Sequence, residues 1–192
     1  MTYLPKAQAA RALSNSVPTI DALINTGQLS VDSRGRVVAA SLDLLRAQRE
    51  RRLPEDHPPV LQVVKNPLRR GPSMYLSDID GLPTDRQKDN DARRLELLRK
   101  EFSTVLDDNP EYDFTGYWEV SDSNADLLCA DEGVVVSTIG GFGHEAAKFI
   151  CVADEVEYRA RKVIMVEPLT GDEAEKYRVF FPDRVRHTRT II

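Results

Sequence analysis

The sequence predicts an α+β protein: a small unit of helices and a hairpin, then a proline-rich linker, then a small mixed β-sheet or open barrel with a long preceding helix. Three observations predict it. Two short apolar stripes of helical period and a turn-punctuated hairpin fall within residues 1–53, five prolines crowd residues 54–72, and one long helical pattern followed by five β-rich stretches fills residues 73–192. A chain of 192 residues with 41% hydrophobic and 30% charged residues has the composition of a folded protein. It can bury one mid-sized core or two small ones.

The first helix starts after Pro5 and carries Ala7, Ala10 and Leu13 on one face. Ser14, Asn15 and Ser16 supply a three-residue turn and a cap, and Pro18 suits the first turn of the next helix. That second helix has Ile20, Leu23 and Ile24 as its apolar stripe and ends at Thr26-Gly27. Residues 28–31 and 36–40 then read as two strands around the turn Asp32-Ser33-Arg34-Gly35. Ser41 is placed to cap a third helix with Leu42, Leu44 and Leu45 as apolar surface, and Arg46, Arg49, Arg51 and Arg52 gather at its C-terminal end, where cations suit the dipole.

Two helices joined by a tight turn and followed by a hairpin make a winged helix-turn-helix pattern. The pieces Ala9-Ala10, Leu13, Ser16, Thr19-Ile20, Leu23-Ile24, Gly27 with Leu29, Arg34-Gly35-Arg36 and Ser41-Leu42 resemble the excisionase/MerR-type winged helix-turn-helix family over residues 4–47, about a quarter of the chain. The resemblance implies double-stranded DNA as partner, read by the second helix and the wing through Ser16, Val17, Pro18, Thr19, Asp21, Ala22, Asn25, Arg34 and Arg36. Here the sequence departs from the family, because the outward positions of the second helix, Val17, Pro18, Asp21 and Ala22, carry no Arg, Lys or Tyr. A bidentate Arg-to-guanine contact gives about 1–3 kcal/mol of discrimination, so a helix with none binds weakly and several copies side by side are expected. Val17 and Pro18 suit thymine methyls, while Arg34 and Arg36 suit a minor groove or a phosphate pair. Use of the same surface to dock a protein, without direct DNA contact, is the alternative.

Charge divides along the chain. Residues 1–53 hold eight Lys/Arg against four Asp/Glu, net +4; residues 54–72 are net +1; residues 73–192 are net -10. A basic head before an acidic body fits a nucleic-acid-facing unit and a body with another task, self-association or a protein partner. The prolines at 54, 58, 59, 67 and 72 forbid a continuous helix and predict a semi-rigid tether that keeps the acidic body from the DNA, with a short strand at 60–64 and Lys65, Arg69 and Arg70 able to follow a backbone. On that expectation, an isolated head binds DNA at least as tightly as the full chain, unless self-association is needed.

In the body, a helix is predicted from residue 85 or 89 to 106, with Leu95, Leu98, Phe102, Val105 and Leu106 at helical spacing. Strands follow at 115–120, 133–139, 147–153, 161–167 and 177–181, with a short helix at 121–128. The run Gly116-Tyr117-Trp118-Glu119-Val120, then Ala125-Asp126, Gly133-Val134-Val135 and residues 161–167, faintly resembles the PUA-like superfamily. That implies a reader of nucleic-acid bases in which Tyr117 or Trp118 lines a stacking pocket; a structural tryptophan is the competing reading.

Signals for catalysis are thin. The Gly140-Gly141-Phe142-Gly143 run lacks the Lys-Ser/Thr of a phosphate loop and reads as a hairpin turn. Cys129, Cys151, His57, His144 and His187 have no spacing that prearranges metal ligands, Asp122 and Asp126 read as solvated helix surface, and Cys129 and Cys151 both read as reduced core thiols, Cys151 between Ile150 and Val152. No enzyme, cofactor or metal is expected. With no apolar run near the roughly 20 residues of a membrane span and no signal-peptide pattern, a cytoplasmic chain with no membrane partner is expected.

Overall fold

The computed structural model describes residues 2–64, 73–156, 161–181 and 190–191. Lys65, Arg69, Arg70 and His187 lie outside the described residues. The fold is α+β, with a mixed sheet among the described residues.

At the N-terminus, strand β1 (Tyr3–Leu4) leads into helices α1 (Lys6–Ala12) and α2 (Val17–Asn25), then strand β2 (Val37–Val38) and helix α3 (Ala39–Gln48). Helix α2 begins as its sequence dictates: the Ser16 hydroxyl accepts the Thr19 N–H at 3.3 Å, and Pro18 sits in the first turn. It ends at Thr26, with Gly27 at φ +74. Ala9, Ala10, Leu13, Ile20 and Leu23 are buried; the buried face of α1 keeps Ala10 and Leu13 of the expected stripe and takes Ala9 in place of Ala7, which is exposed. The hairpin is tighter than expected. Its predicted strands shrink to one bridge, Val31 to Val37, because β2 pairs with β1 instead, antiparallel with Tyr3 opposite Val38. Ser41 does not cap α3, which starts two residues earlier; its hydroxyl accepts the Ser30 N–H and donates to the Val38 carbonyl, pinning the hairpin to the helix.

The body is built on strands β3 (Val60–Val64), β4 (Asp113–Phe114), β5 (Trp118–Glu119), β6 (Val134–Ile139), β7 (Phe142–Val156), β8 (Arg161–Pro168) and β9 (Thr190–Ile191). They lie in the order β4-β8-β7-β6-β3-β9, with β5 also on β8. Only β3 and β6 are parallel; every other pairing is antiparallel. The strand expected at 60–64 forms, but as an interior strand of the sheet, buried from Val60 to Val63, and not as part of a tether. Four consecutive buried residues are what a strand covered on both faces requires.

Helices α4 (Asp85–Glu101) and α5 (Ser103–Asp108) replace the single long helix. The break at Phe102 (φ -98, ψ 20) turns its ring onto Phe114, 5.9 Å between centroids, and leaves Val105 exposed. Helix α6 (Asp122–Ala130) is capped by Ser121 and covers the face of the sheet formed by Leu61, Val135, Phe149 and Ile164. The opposite face packs Val163 and Met165 against Leu95 and Leu98 of α4, and Val134 and Val136 against Tyr177, Val179 and Phe181. Those last residues follow a short helix α7 (Gly171–Glu175) and alternate as a strand would, but pair with the sheet at one bridge, Phe142 to Phe180. Of the predicted strand 115–120 only β5 forms, with Thr115 at an isolated bridge to Tyr75, and β7 runs to 15 residues with two register shifts against β8.

Ile139 and Phe142, at the tip of the β6–β7 hairpin, are buried in the same core cluster as Leu13, Ile20, Leu23, Leu29 and Leu42, with Phe180 packed on it. The N-terminal unit thus closes its core on the body.

Candidate nucleic-acid interface

Along α2 the side chains divide into an outer and an inner row. Ser16, Val17, Pro18 and Asn25 are exposed; Thr19 and Asp21 are half-buried. Ala22, expected to face outward, is 5% exposed and belongs to the core, because its position between Ile20 and Leu23 turns it under the helix. It is withdrawn from the interface. Asp21 is matched by Lys6 of α1 at 2.7 Å. This pair neutralises the one acid on the outer row and leaves that row without net charge.

The wing turn is held by one carboxylate. Asp32 accepts the N–H groups of Arg34 and Arg36, each at 2.9 Å, and pairs with the Arg36 guanidinium at 2.6 Å. These bonds, the Arg36 N–H first, hold its carboxyl below the ordinary value despite the opposing effect of desolvation. Arg36 also lies over the Tyr3 ring, 5.0 Å from its centroid. Arg34 differs: it is exposed, and among the described residues its guanidinium has no partner. The turn thus presents one uncommitted cation and one that is partly spent.

The inner side of the same unit meets the body. Gly140 and Gly141, at φ +61 and +89, form the two-residue turn between Ile139 and Phe142, the geometry of a hairpin in which both central residues are left-handed. Asn15 donates to the Gly140 carbonyl at 3.3 Å and Gln28 to the Gly143 carbonyl at 3.0 Å. A Cβ on Gly140 would stand 2.4 Å from the Thr19 methyl. Arg49 lies 4.7 Å from the Phe180 centroid and 5.7 Å from that of Phe142 and donates to the Leu13 carbonyl, while Arg51 donates to the Glu175 carbonyl at 2.7 Å. Asn15, Gln28 and Arg49 were not legible as contact residues. Their partners in the body lie more than 90 residues away in the chain, and Arg49 carried only a helix-end signal.

A second feature lies in the body. A cavity of about 200 Å³ opens between the N-terminal half of α4 and β5, lined among others by Tyr75, Gln87, Asp91, Tyr117, Trp118 and Arg161. Trp118 is 6% exposed. It is a buried packing ring, as the competing structural reading has it, and it also forms part of the cavity wall. Burial raises the Tyr117 hydroxyl above its ordinary value, against the opposing charge of Arg94 and with a smaller contribution from Asp91.

Elsewhere, Cys129 is exposed on α6 and not the core thiol expected, and Cys151 is half-buried with its thiol pushed up, by burial first and then by Cys129. Asp122, exposed as expected, pairs at 2.8 Å with Lys162, which is 3% exposed and also bonded to Glu155. Among the described residues no three His, Cys, Asp or Glu side chains cluster as metal ligands, and no helix is long and apolar enough to cross a membrane.

Comparison with known proteins yields no match: no family model fits the chain, and neither a curated protein nor a solved structure shows significant similarity to it.

Proposed function

We propose that the chain is a DNA-binding regulatory or recombination-accessory protein, whose N-terminal unit meets duplex DNA through the outer row of α2 and the wing turn, and whose acidic body self-associates or docks a protein partner. The observation that carries the reading is Arg34, an exposed arginine without a folded-state partner among the described residues, set on a rigid turn in the same unit as the solvent-facing row Ser16, Val17, Pro18 and Asn25. Contact to phosphate from such a cation gives affinity without sequence choice, and the apolar Val17-Pro18 end favours thymine methyls over guanine edges. With so few cations on the outer row, each copy supplies little energy, and clustered copies on one duplex follow.

A salt titration of binding by the full chain to mixed-sequence duplex tests this. Each phosphate contact adds about -0.9 to the slope of log K against log salt. Arg34→Ala should weaken binding and reduce that slope by about one contact. Arg34→Ala with Arg36→Ala should abolish it. A double variant that binds like the parent refutes the wing assignment, and a parent that shows no salt-dependent binding favours a protein-docking surface in its place.

A further inference from the structure

The body carries two helix faces of opposite charge, each with an exposed leucine at its centre. On α4, Arg86, Asn90, Arg93, Leu97 and Lys100 are all exposed, and at 3.6 residues per turn they share one stripe about 80° wide and about 21 Å long. Among the described residues the salt bridge of α4 is Arg94 with Asp154, off this stripe, and Arg86, Arg93 and Lys100 have none. Leu97 is 58% exposed between Arg93 and Lys100. On α6, Leu127 is 41% exposed with Asp126 and Asp131 beside it, and neither carboxylate has a partner among the described residues. Asp131 closes α6 at its C-terminal end, where the helix dipole disfavours an anion and a cation brought from outside relieves it. The two faces cannot meet within one chain. Leu95 and Leu98 seat α4 on Val163 and Met165, whereas Ala125 and Leu128 seat α6 on the other side of the sheet, with Val135 and Ile164. An apolar centre with a charged surround is the layout of a protein contact. A polyanion is the poorer fit, because Asp89 and Glu96 border the cation row and Leu97 offers nothing to phosphate.

We propose that the α4 stripe of one copy docks on the α6 face of a second copy of this chain, Leu97 against Leu127, with Arg93 and Lys100 meeting Asp126 and Asp131. The two surfaces differ, so the contact is heterologous. Because they lie on opposite sides of the body, each added copy leaves one face of each kind free, and the copies form an open row. The inference rests on the self-association in the reading above, to which it gives an interface; it uses neither the wing nor α2.

Sedimentation velocity of the full chain over rising protein concentration tests this. Association that grows past a dimer is expected at about 0.1 M salt, and it should weaken at about 1 M, where the screening length falls from about 10 Å to about 3 Å. Arg93→Glu with Lys100→Glu should abolish it, and so should Asp126→Lys with Asp131→Lys, since like charges then face each other. An equimolar mixture of the two charge-reversed proteins should associate again, because each supplies the complement of the other's altered face; misfolding cannot produce that rescue. Leu97→Ala should weaken association about tenfold. A parent that stays monomeric, growth that stops at a dimer, reversed variants that associate like the parent, or a mixture that stays monomeric overturns the proposal. If Arg93→Glu with Lys100→Glu lowers the salt slope of duplex binding while association persists, the stripe is a nucleic-acid contact instead. Failure of the duplex-binding reading shows differently, as a parent that associates as expected but has no Arg34-dependent affinity for duplex.

Discussion

Arg34 and Arg36 are separated only by Gly35, yet they differ in what removing each would do. Arg36 shares Asp32 and stacks on Tyr3, so its loss disturbs the turn as well as any contact the turn makes. Arg34 lends only its backbone N–H to the fold, so its side chain reports on binding alone. Among single residues the tyrosines also set a pH dependence. Tyr75, Tyr117 and Tyr177 are all held above the ordinary value of 10.0, each by burial first, and for Tyr75 also by Glu145 and Asp113. The neutral hydroxyl is the form the fold favours. Stability tied to it is fully present below pH 10.0 and falls as pH rises toward the raised native values, because the unfolded chain gives up its proton first. Denaturant unfolding followed from neutral to alkaline pH should show this decline, and Tyr75→Phe should flatten it; parallel decline in parent and variant would place the effect elsewhere.

Among elements, the β6–β7 hairpin has a double task. As part of the sheet it joins β3 to β8; at its tip, Ile139 and Phe142 complete the core of the three-helix unit. Phe142 is fully buried and touched by Phe180 at 5.0 Å. Phe142→Ala should cost about 3–5 kcal/mol, the range for emptying a buried aromatic site, read as a lowered denaturant midpoint. Gly140→Ala tests the turn. It adds a methyl to a left-handed position, about 1–2 kcal/mol, and drives it toward Thr19. A loss within a few tenths of a kcal/mol would mean that the tip is not packed on α2. The same contact orients α2, since Asn15 and Gln28, on either side of it, both bond the hairpin.

For the whole molecule, the net +4 of residues 1–53 is not all available to a polyanion. Arg49 and Arg51 face the body, and Lys6 is engaged by Asp21. The expectation that an isolated head binds DNA at least as tightly as the full chain requires the head to keep its fold when cut from the body. A fragment of residues 1–53 exposes the surface that Ile139, Phe142 and Phe180 cover, and its helices should open more readily. Amide exchange at Leu13 and Ile20 should be faster in the fragment than in the intact chain; equal rates would show that the unit folds on its own.

The sequence by itself determined the local elements: Ser16 and Pro18 start α2, Gly27 ends it, Asp32-Ser33-Arg34-Gly35 turns the chain, Gly140-Gly141 makes the second hairpin, and α6, β6 and β8 fall within two residues of their expected ends. Each depends on caps, glycine conformations or a period of two or 3.6, which act over a few residues and are written in order. Tertiary structure alone decided that residues 60–64 join the sheet, that Ala22 turns inward, that Arg49 serves two phenylalanines, and that Asp91 and Arg161 meet around Trp118. Those outcomes pair residues tens of positions apart, and the apolar area they remove from water exists only once both partners are in place.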